Sequence, residues 1–284
     1  QLPPDICGDH WFTTIRDMVM KCCKVDRDFI INKRDCPLVR KDCGDPLNPF
    51  TPPIPVVDYS RMIRVFSFYG APSHVDIPCP IARDWHRLCH VSFSQAKPVH
   101  ASKPFVDMYW ESKEPKVIFR GSLTGTGQRE LFCNTQFRNC DAGCTGLNNN
   151  RRKIHPVTLY ECKPRACMRF AERISLDEQQ QNYKYALLLN GHSGADRLLQ
   201  LLNGSQVLLI PQPCKFDLGT LTWASPMMYP MQHYVPIQYD GADLDDVVDK
   251  LESTPGVNDA IRASCACLPI DLEAIREWWW HALL

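Results

Sequence analysis

The chain has 284 residues, 44% of them hydrophobic, which is enough apolar material for one large core or two cores of about 100–150 residues each. Its 32 basic residues balance 32 acidic ones, so the chain lacks the positive field that binds a nucleic acid backbone. No apolar run reaches the roughly 18–20 residues that cross a bilayer. The opening Gln1-Leu-Pro-Pro has neither Met nor a signal-peptide pattern, which predicts a processed or truncated piece.

Fifteen cysteines exceed ordinary usage, and their odd number leaves at least one thiol without a partner inside the chain. Such content favours an oxidising compartment, hence the secretory pathway and disulfides whose pairing cannot be deduced from spacing. Zinc is an alternative over 140–167, because thiolates and an imidazole can form a tetrahedral site. The spacing of Cys140, Cys144, His155, Cys162 and Cys167 matches no standard zinc motif, so we expect local disulfides or free thiols there.

The first half of the chain alternates helical patterns with short apolar strands. The spacing of Trp11, Ile15 and Met18 predicts an early helix. Strands are predicted over 28–32, 64–69 and 116–121, with a proline-rich connection over 36–58 and a helix that begins at Gln128. From 139 to 169 no clear pattern predicts an element.

The second half has a clearer rhythm. A strand over 184–190, a helix over 195–202 and a strand over 206–210 form one βαβ unit, which requires a parallel sheet. A further strand is predicted over 235–239 and helices over 244–251, 257–265 and 271–283; Trp278-Trp-Trp280 in the last one is typical of core packing plus one surface ring. This alternation predicts an α/β architecture with two layered domains.

The stretch Asn190-Gly-His-Ser-Gly-Ala-Asp-Arg197 joins the predicted strand to the predicted helix and could hold an anion. Its glycines leave room for a diphosphate, Ser193 can cap the helix, and Arg197 can add a bidentate charge. A capped turn with a surface arginine is the plainer alternative, and the stretch is not the dinucleotide-binding fingerprint.

A second strand-to-loop junction over 119–129 carries two arginines, three hydroxyl groups and three glycines, a composition that can wrap phosphate or ribose. Ser122 and Arg129 are the ligand candidates, whereas Arg120 follows a buried apolar run and is a candidate for a structural ion pair. A solvated turn is an equally common use of such a composition.

Two aspartates are candidates for a general base. Asp35 follows a predicted strand beside Lys33 and Arg34, which keep a carboxylate ionised and able to accept a proton from a hydroxyl nucleophile. Asp76 is a rival candidate. Ordinary roles stay open for both, a surface ion pair for Asp35 and a cap before proline for Asp76.

An ordered set of short motifs runs nearly from end to end. The motifs are Phe29-Ile-Ile-Asn-Lys-Arg-Asp-Cys-Pro37, Val65-Phe-Ser-Phe68, Asp76-Ile-Pro-Cys-Pro80, Phe119-Arg-Gly-Ser122 with Arg129, Tyr183-Lys-Tyr185, Arg197, Gly204-Ser205 and His233-Tyr-Val-Pro236. Each is weak alone, but together they resemble glycosyltransferase family 90, which includes Rumi-type protein O-glucosyltransferases and fungal capsule-associated xylosyltransferases.

The resemblance implies a GT-B-like α/β fold, in which two Rossmann-like domains face each other across a cleft and the C-terminal helices pack back on the first domain. The expected division is an acceptor-side domain over 1–113, a UDP-sugar-binding domain over 114–255 and the returning helices over 256–284.

The resemblance also implies an inverting enzyme of the endoplasmic reticulum or Golgi lumen that moves glucose or xylose from UDP-glucose or UDP-xylose to a hydroxyl of a protein or glycan, without a metal or other cofactor. By position, Asp35 corresponds to the catalytic base. The corresponding donor contacts are Ser122, Arg129, His192, Ser193, Gly194, Ala195, Asp196 and Arg197.

One region departs from the family. Members commonly carry a Glu-Phe element before Pro-Trp-x-His-Tyr, whereas 222–234 contains no acidic residue here and Met231 stands at the Trp position. A sugar hydroxyl left without its acceptor costs roughly 1–3 kcal/mol. The alternative function is therefore a catalytically weak or inactive relative that binds a UDP-sugar or a glycan.

Overall fold

The computed structural model describes residues 10–22, 29–32, 37, 64–72, 74–81, 84, 109–124, 127–147, 170–191, 194–213 and 221–283. In this part of the chain the strands form two sheets, one of three strands and one of five, and every strand pair is parallel. The α/β class with parallel sheets is therefore confirmed.

The first sheet comes from the N-terminal third. Helix α1 (His10–Cys22) precedes β1 (Phe29–Ile31), β2 (Arg64–Ser67) and β3 (Ile77–Pro78), and the strand order is β1-β2-β3. The first two strands were predicted from their apolar runs. The two-residue β3 was not, because so short a strand leaves no periodic pattern.

The second sheet has the order β5-β4-β6-β7-β8. Its strands are β4 (Glu114–Leu123), β5 (Cys140–Leu147), β6 (Tyr183–Leu187), β7 (Val207–Pro211) and β8 (Val235–Ile237), with the helices α2 (Gln128–Asn134), α3 (Leu176–Asn182) and α4 (Leu198–Leu202) between them. Central parallel strands are covered on both faces, which is why β4, β6 and β7 have near-continuous buried apolar runs. The predicted βαβ unit is confirmed as β6, α4 and β7.

Strand β5 lies where no element was predicted. Its sequence Cys-Asp-Ala-Gly-Cys-Thr-Gly-Leu has small and polar residues with weak strand preference, and it forms an edge strand through its pairing with β4. Cys140 and Cys144 are thiols on this strand and pair in regular register with Val117 and Gly121. They are therefore about 13 Å apart, too far for a mutual disulfide or one shared tetrahedral zinc.

Three helices follow the second sheet, namely α5 (Leu244–Ser253), α6 (Val257–Ala266) and α7 (Leu272–Leu283). Trp279 of α7 is fully buried, with its ring centroid 5.2 Å from that of Phe66 in β2 and 6.3 Å from that of Phe29 in β1. Trp280 is 46% exposed, so the prediction of core packing plus one surface ring is confirmed. The last helix thus packs against the first sheet.

Two polar links join the loops of the first sheet to the segment before β8. Gly70 and Leu221 exchange backbone hydrogen bonds of 2.8 and 3.0 Å, and Trp223 Nε1 donates to Asp84 Oδ2 over 3.0 Å. Among the described helices, none combines the length and apolar character that a membrane span requires.

Candidate functional site

The candidate site lies at the carboxyl edge of the five-stranded sheet. Because β4 and β6 are parallel neighbours, the residues after Leu123 and after Leu187 leave the sheet on the same side. Ligands of open α/β sheets bind at this edge. The loops there bring together two arginines from distant parts of the sequence, Arg129 and Arg197.

Arg129 is buried at the start of α2 and joins the two loops. Its Nη1 donates to the carbonyl of Ser122 over 2.9 Å and to Thr124 Oγ1 over 2.7 Å, and its Nη2 donates to the carbonyl of Leu189 over 2.9 Å. Its Nε is buried without a hydrogen-bond partner in the described residues. Burial first, and the charge of Arg197 second, lower the pKa of Arg129 to about 10. The group therefore remains a cation at neutral pH.

Arg197 is partly buried immediately before α4. Its Nη1 donates to the carbonyl of Arg120 over 2.8 Å, and burial lowers its pKa. That bond is the one hydrogen bond that its guanidinium makes within the described part of the chain, so four of its five N–H donors remain available.

Two glycines let the arginines approach the backbone this closely. A Cβ atom on Gly121 would lie 2.7 Å from Phe119 Cζ and 3.3 Å from Arg197 Nη2. A Cβ atom on Gly191 would lie 2.9 Å from Thr124 Oγ1 and 3.3 Å from Arg129 Nη2. A side chain at either position would therefore displace groups of the site.

The site carries a positive charge that the described residues do not neutralise. Neither Arg129 nor Arg197 forms an ion pair with a described carboxylate. Arg120 shows the contrast, since its Nη2 lies 2.7 Å from Asp141 Oδ2 with side-chain exposures of 8% and 20%. The prediction that Arg120 forms a structural ion pair is therefore confirmed, whereas the other two arginines have no such carboxylate partner among the described residues.

The prediction for the helix after β6 was partly wrong. The helix begins at Leu198 rather than at 195, and its N-cap is Arg197, which forms no side-chain capping bond. The backbone N–H of Ala195, expected at the start of the helix, donates to Asn190 Oδ1 over 3.2 Å. An α4 of five residues is too short to supply an anion site of its own, so the positive charge here comes from side chains.

The remaining predicted donor residues divide into two groups. Ser122 takes part through its carbonyl, and the segment of Gly194, exposed Asp196 and buried Ala195 adjoins Arg197 at the same edge. The predicted residues Asp35, His192 and Ser193 lie outside the described residues.

A chain of buried polar side chains lies at the end of the first sheet. Asn32 Nδ2 donates to Ser67 Oγ over 3.0 Å, and Ser67 Oγ donates to Asp76 Oδ1 over 2.6 Å. Asn32 follows β1 directly and precedes Asp35 by three residues. Asp76 is thus the buried end of this chain, beside β3.

In the 222–234 segment, which departs from the family motif, a hydrogen bond within the segment stabilises its conformation. His233 Nδ1 accepts a hydrogen bond from the backbone N–H of Tyr229 over 2.9 Å, and burial lowers the pKa of His233. Met231 has a φ of 62° in the turn between them, in the left-handed region that side chains rarely adopt.

Sequence analysis missed three contributors to the site. Thr124 and Asn190 hold the loops through the bonds given above, and the ring centroid of Phe119 lies 5.7 Å from Arg129 Cζ and 5.4 Å from Arg197 Cζ. The hydroxyl content of the 119–129 loop was the signal for Thr124. The sequence around Phe119 has the pattern of an ordinary buried strand, so nothing in it indicates the role of the ring.

Comparison with known proteins gives distant relatives from viruses. Uncharacterized protein 035R of Invertebrate iridescent virus 3 is 28% identical over 242 residues, which cover 80% of this chain and 21% of that protein. Uncharacterized protein 027R of Frog virus 3 (isolate Goorha) is 28% identical over 254 residues, which cover 79% and 26%. The chain therefore spans about a fifth to a quarter of the length of these curated relatives.

Among solved structures, the C-terminal domain of the group 1 glycosyl transferase LpcC from Francisella tularensis matches 59% of this chain and 91% of its own, at 11% identity and a TM-score of 0.34. The α/β fold described above follows from the strand order and the parallel pairing of the two sheets. The sequence model of Glycosyl transferase family 90 matches residues 12–262, which include both sheets and both arginines of the site. The chain therefore belongs to Glycosyl transferase family 90.

Proposed function

We propose that the chain is an inverting glycosyltransferase domain that transfers glucose or xylose from a UDP-sugar to a hydroxyl group of a protein or glycan. Family membership supports glycosyl transfer in general. The observation that favours a nucleotide diphosphate donor is the pair Arg129 and Arg197, two cations without a described carboxylate partner at the ligand-binding edge of a parallel sheet.

The two arginines have different parts in this proposal. Three of the five N–H groups of Arg129 bind protein oxygens, so it mainly fixes the loops and supplies positive charge from a buried position. Arg197 has four N–H groups available and is the candidate for direct contact with the diphosphate. Negative charge grows on the leaving diphosphate as the glycosidic bond breaks, and preorganised donors stabilise that charge.

The same pair accounts for a reaction without a metal ion. Two guanidinium groups neutralise a diphosphate, which is the task that a divalent cation performs in metal-dependent transferases. We expect transfer to persist in a chelator such as EDTA.

Asp35 is the proposed general base. It would accept the proton of the acceptor hydroxyl while the oxygen attacks the anomeric carbon from the face opposite UDP, which inverts the configuration. The buried hydrogen bonds that link Asn32, Ser67 and Asp76 fix Asn32 at the end of β1, three residues before Asp35 in the sequence. Asp76 is less suited, since Ser67 already donates to its carboxylate in a buried position.

Release of UDP from a panel of UDP-sugars tests the proposal, with UDP-glucose and UDP-xylose first and peptide or glycan acceptors added in turn. We expect turnover with one of these donors, and we expect Asp35→Asn to bind UDP normally while losing transfer. Asp17→Asn, at an exposed position on α1, is the matched control and should retain transfer. Equal transfer by Asp35→Asn and Asp17→Asn would show that another group is the base.

A catalytically inactive, UDP-sugar-binding relative is the second candidate. The observation that favours it is the 222–231 segment, which contains no acidic residue and places Met231 in a strained turn. UDP binding without turnover on any donor and acceptor of the panel would select this alternative. For either function we propose the lumen of the secretory pathway as the location, supported by the cysteine content.

A further inference from the structure

The ring of Phe119 contacts both arginines of the site. Its centroid lies 5.7 Å from Arg129 Cζ and 5.4 Å from Arg197 Cζ, within the distance at which cations interact with an aromatic ring. The side chain is 1% exposed, so both interactions lie away from water, where they are strongest. One buried ring thus contacts two cations of like charge.

Two like charges beside one ring require compensation. The neighbouring charge of Arg197 already lowers the pKa of Arg129, after burial as the larger cause. In the described part of the chain the compensating groups are carbonyl oxygens, one hydroxyl and this ring. Arg197 makes only one of these hydrogen bonds, to the carbonyl of Arg120. Its contact with the ring is therefore a large part of the interactions that orient its guanidinium.

The position of the ring is fixed by the strand. Phe119 and Gly121 lie on the same face of β4, and the ring reaches over Gly121 because that residue has no side chain. The Arg197 guanidinium also lies beside Gly121, with Nη2 3.3 Å from the place that a Cβ atom on this residue would take. The pattern Phe119-Arg-Gly121 therefore places an aromatic ring where the two loops bring their arginines.

We propose that Phe119 is a positioning residue, whose ring holds Arg129 and Arg197 in the orientation that receives the donor diphosphate. The inference rests on the proposed function, since it assumes that these arginines bind UDP. If only a fraction of the molecules has both arginines in place, the apparent affinity is the intrinsic affinity multiplied by that fraction. Loss of the attraction of the ring for the cations should therefore weaken UDP binding about tenfold.

A fluorination series at position 119 tests this role, because fluorine withdraws charge from the ring face with little change in shape. Phenylalanine is replaced in the full chain by its 4-fluoro, 3,5-difluoro and 3,4,5-trifluoro analogues, and the Kd for UDP is measured by calorimetry. We expect the Kd to rise stepwise, reaching about tenfold with three fluorines. The urea midpoint of each protein is measured alongside and should change little.

Phe132 provides the matched control. It is fully buried on α2, the helix that also carries Arg129, and its aromatic neighbour is Phe137 at 5.4 Å. The same three analogues at position 132 should leave the Kd for UDP unchanged.

Three outcomes would overturn the inference. If the wild-type chain binds UDP and fluorination of Phe119 does not alter the Kd, the inference is wrong and the proposed function stands. Equal weakening by fluorination at 119 and at 132 would also refute it, because the effect would then be one of general packing. If the wild-type chain does not bind UDP, the proposed function fails and this inference fails with it.

Discussion

Substitution of alanine for Gly121 tests the close packing at the site. The added Cβ atom would lie 2.7 Å from Phe119 Cζ and 3.3 Å from both Phe119 Cε1 and Arg197 Nη2. Carbon atoms in contact prefer about 3.5–4.0 Å, so the ring needs about 1 Å more room. Phe119 is buried within the sheet and cannot swing into solvent, so the ring must press towards the arginines or the strand must shift.

The magnitude follows from the packing. Overpacking of a buried site costs about 1–3 kcal/mol of unfolding free energy, whereas glycine in a strand is about 0.5–1 kcal/mol less stable than alanine when space is available. Gly146 on β5 meets that second condition, since a Cβ atom there has nothing within 4 Å. We expect Gly121→Ala to be less stable than Gly146→Ala by about 1–3 kcal/mol.

Urea unfolding measures the stability of both variants, and calorimetry measures their affinity for UDP. Gly121→Ala should bind UDP about tenfold more weakly than wild type, because Arg197 Nη2 and the ring that orients it are both displaced. Gly146→Ala should bind UDP as the wild type does. Equal stability and equal UDP affinity of the two variants would refute the packing described for Phe119, Gly121 and Arg197.

Three further outcomes are expected. Asp141→Asn should lower the unfolding free energy by about 3 kcal/mol, measured in urea, because it removes the negative charge that pairs with the buried Arg120; a loss below about 0.5 kcal/mol would contradict this. Burial lowers the pKa of His233 below the usual value of 6.5, so the wild type should lose stability relative to His233→Asn as the pH falls from 6.5 towards that lower pKa, and parallel stability curves would contradict it. Burial raises the pKa of Cys265 to about 11 whereas Cys267 is exposed, so peptide mapping after iodoacetamide at pH 7.5 should find Cys267 alkylated and Cys265 intact.

The sheet strands could be predicted where burial on both faces leaves a continuous apolar run. Val117 to Phe119 and Val207 to Leu209 are such runs, and both became central strands. β5 could not be predicted, because an edge strand of glycine, cysteine and polar residues forms through its pairing with β4 rather than through its own preference. Helix α3 did have a signal that was not used, since Ser175 accepts a hydrogen bond from Glu178 N in a capping-box sequence.

The candidate site could be predicted where its residues form a local sequence pattern, and not where they meet only in the folded chain. Arg129 and Arg197 each stand beside glycines at a strand end, a local pattern that indicates an anion site. The contact between the two loops depends on the parallel pairing of β4 with β6, which brings the carbonyl of Leu189 to Arg129 across 60 residues of sequence. The helix was predicted to start too early because the Ala195 N–H bonds to the Asn190 side chain, and such local bonds compete with a first helical turn.

The proposed diphosphate site of Arg129 and Arg197 is tested by the affinities of UDP and uridine for the wild-type chain and for Arg197→Gln. We predict that the wild type binds UDP at least about 100-fold more tightly than uridine and that Arg197→Gln loses about 10- to 100-fold in UDP affinity alone. Arg276→Gln, at an exposed position on α7, is the control and should bind UDP as the wild type does. UDP binding no tighter than that of uridine, or equal UDP affinity of the two variants, would contradict the claim.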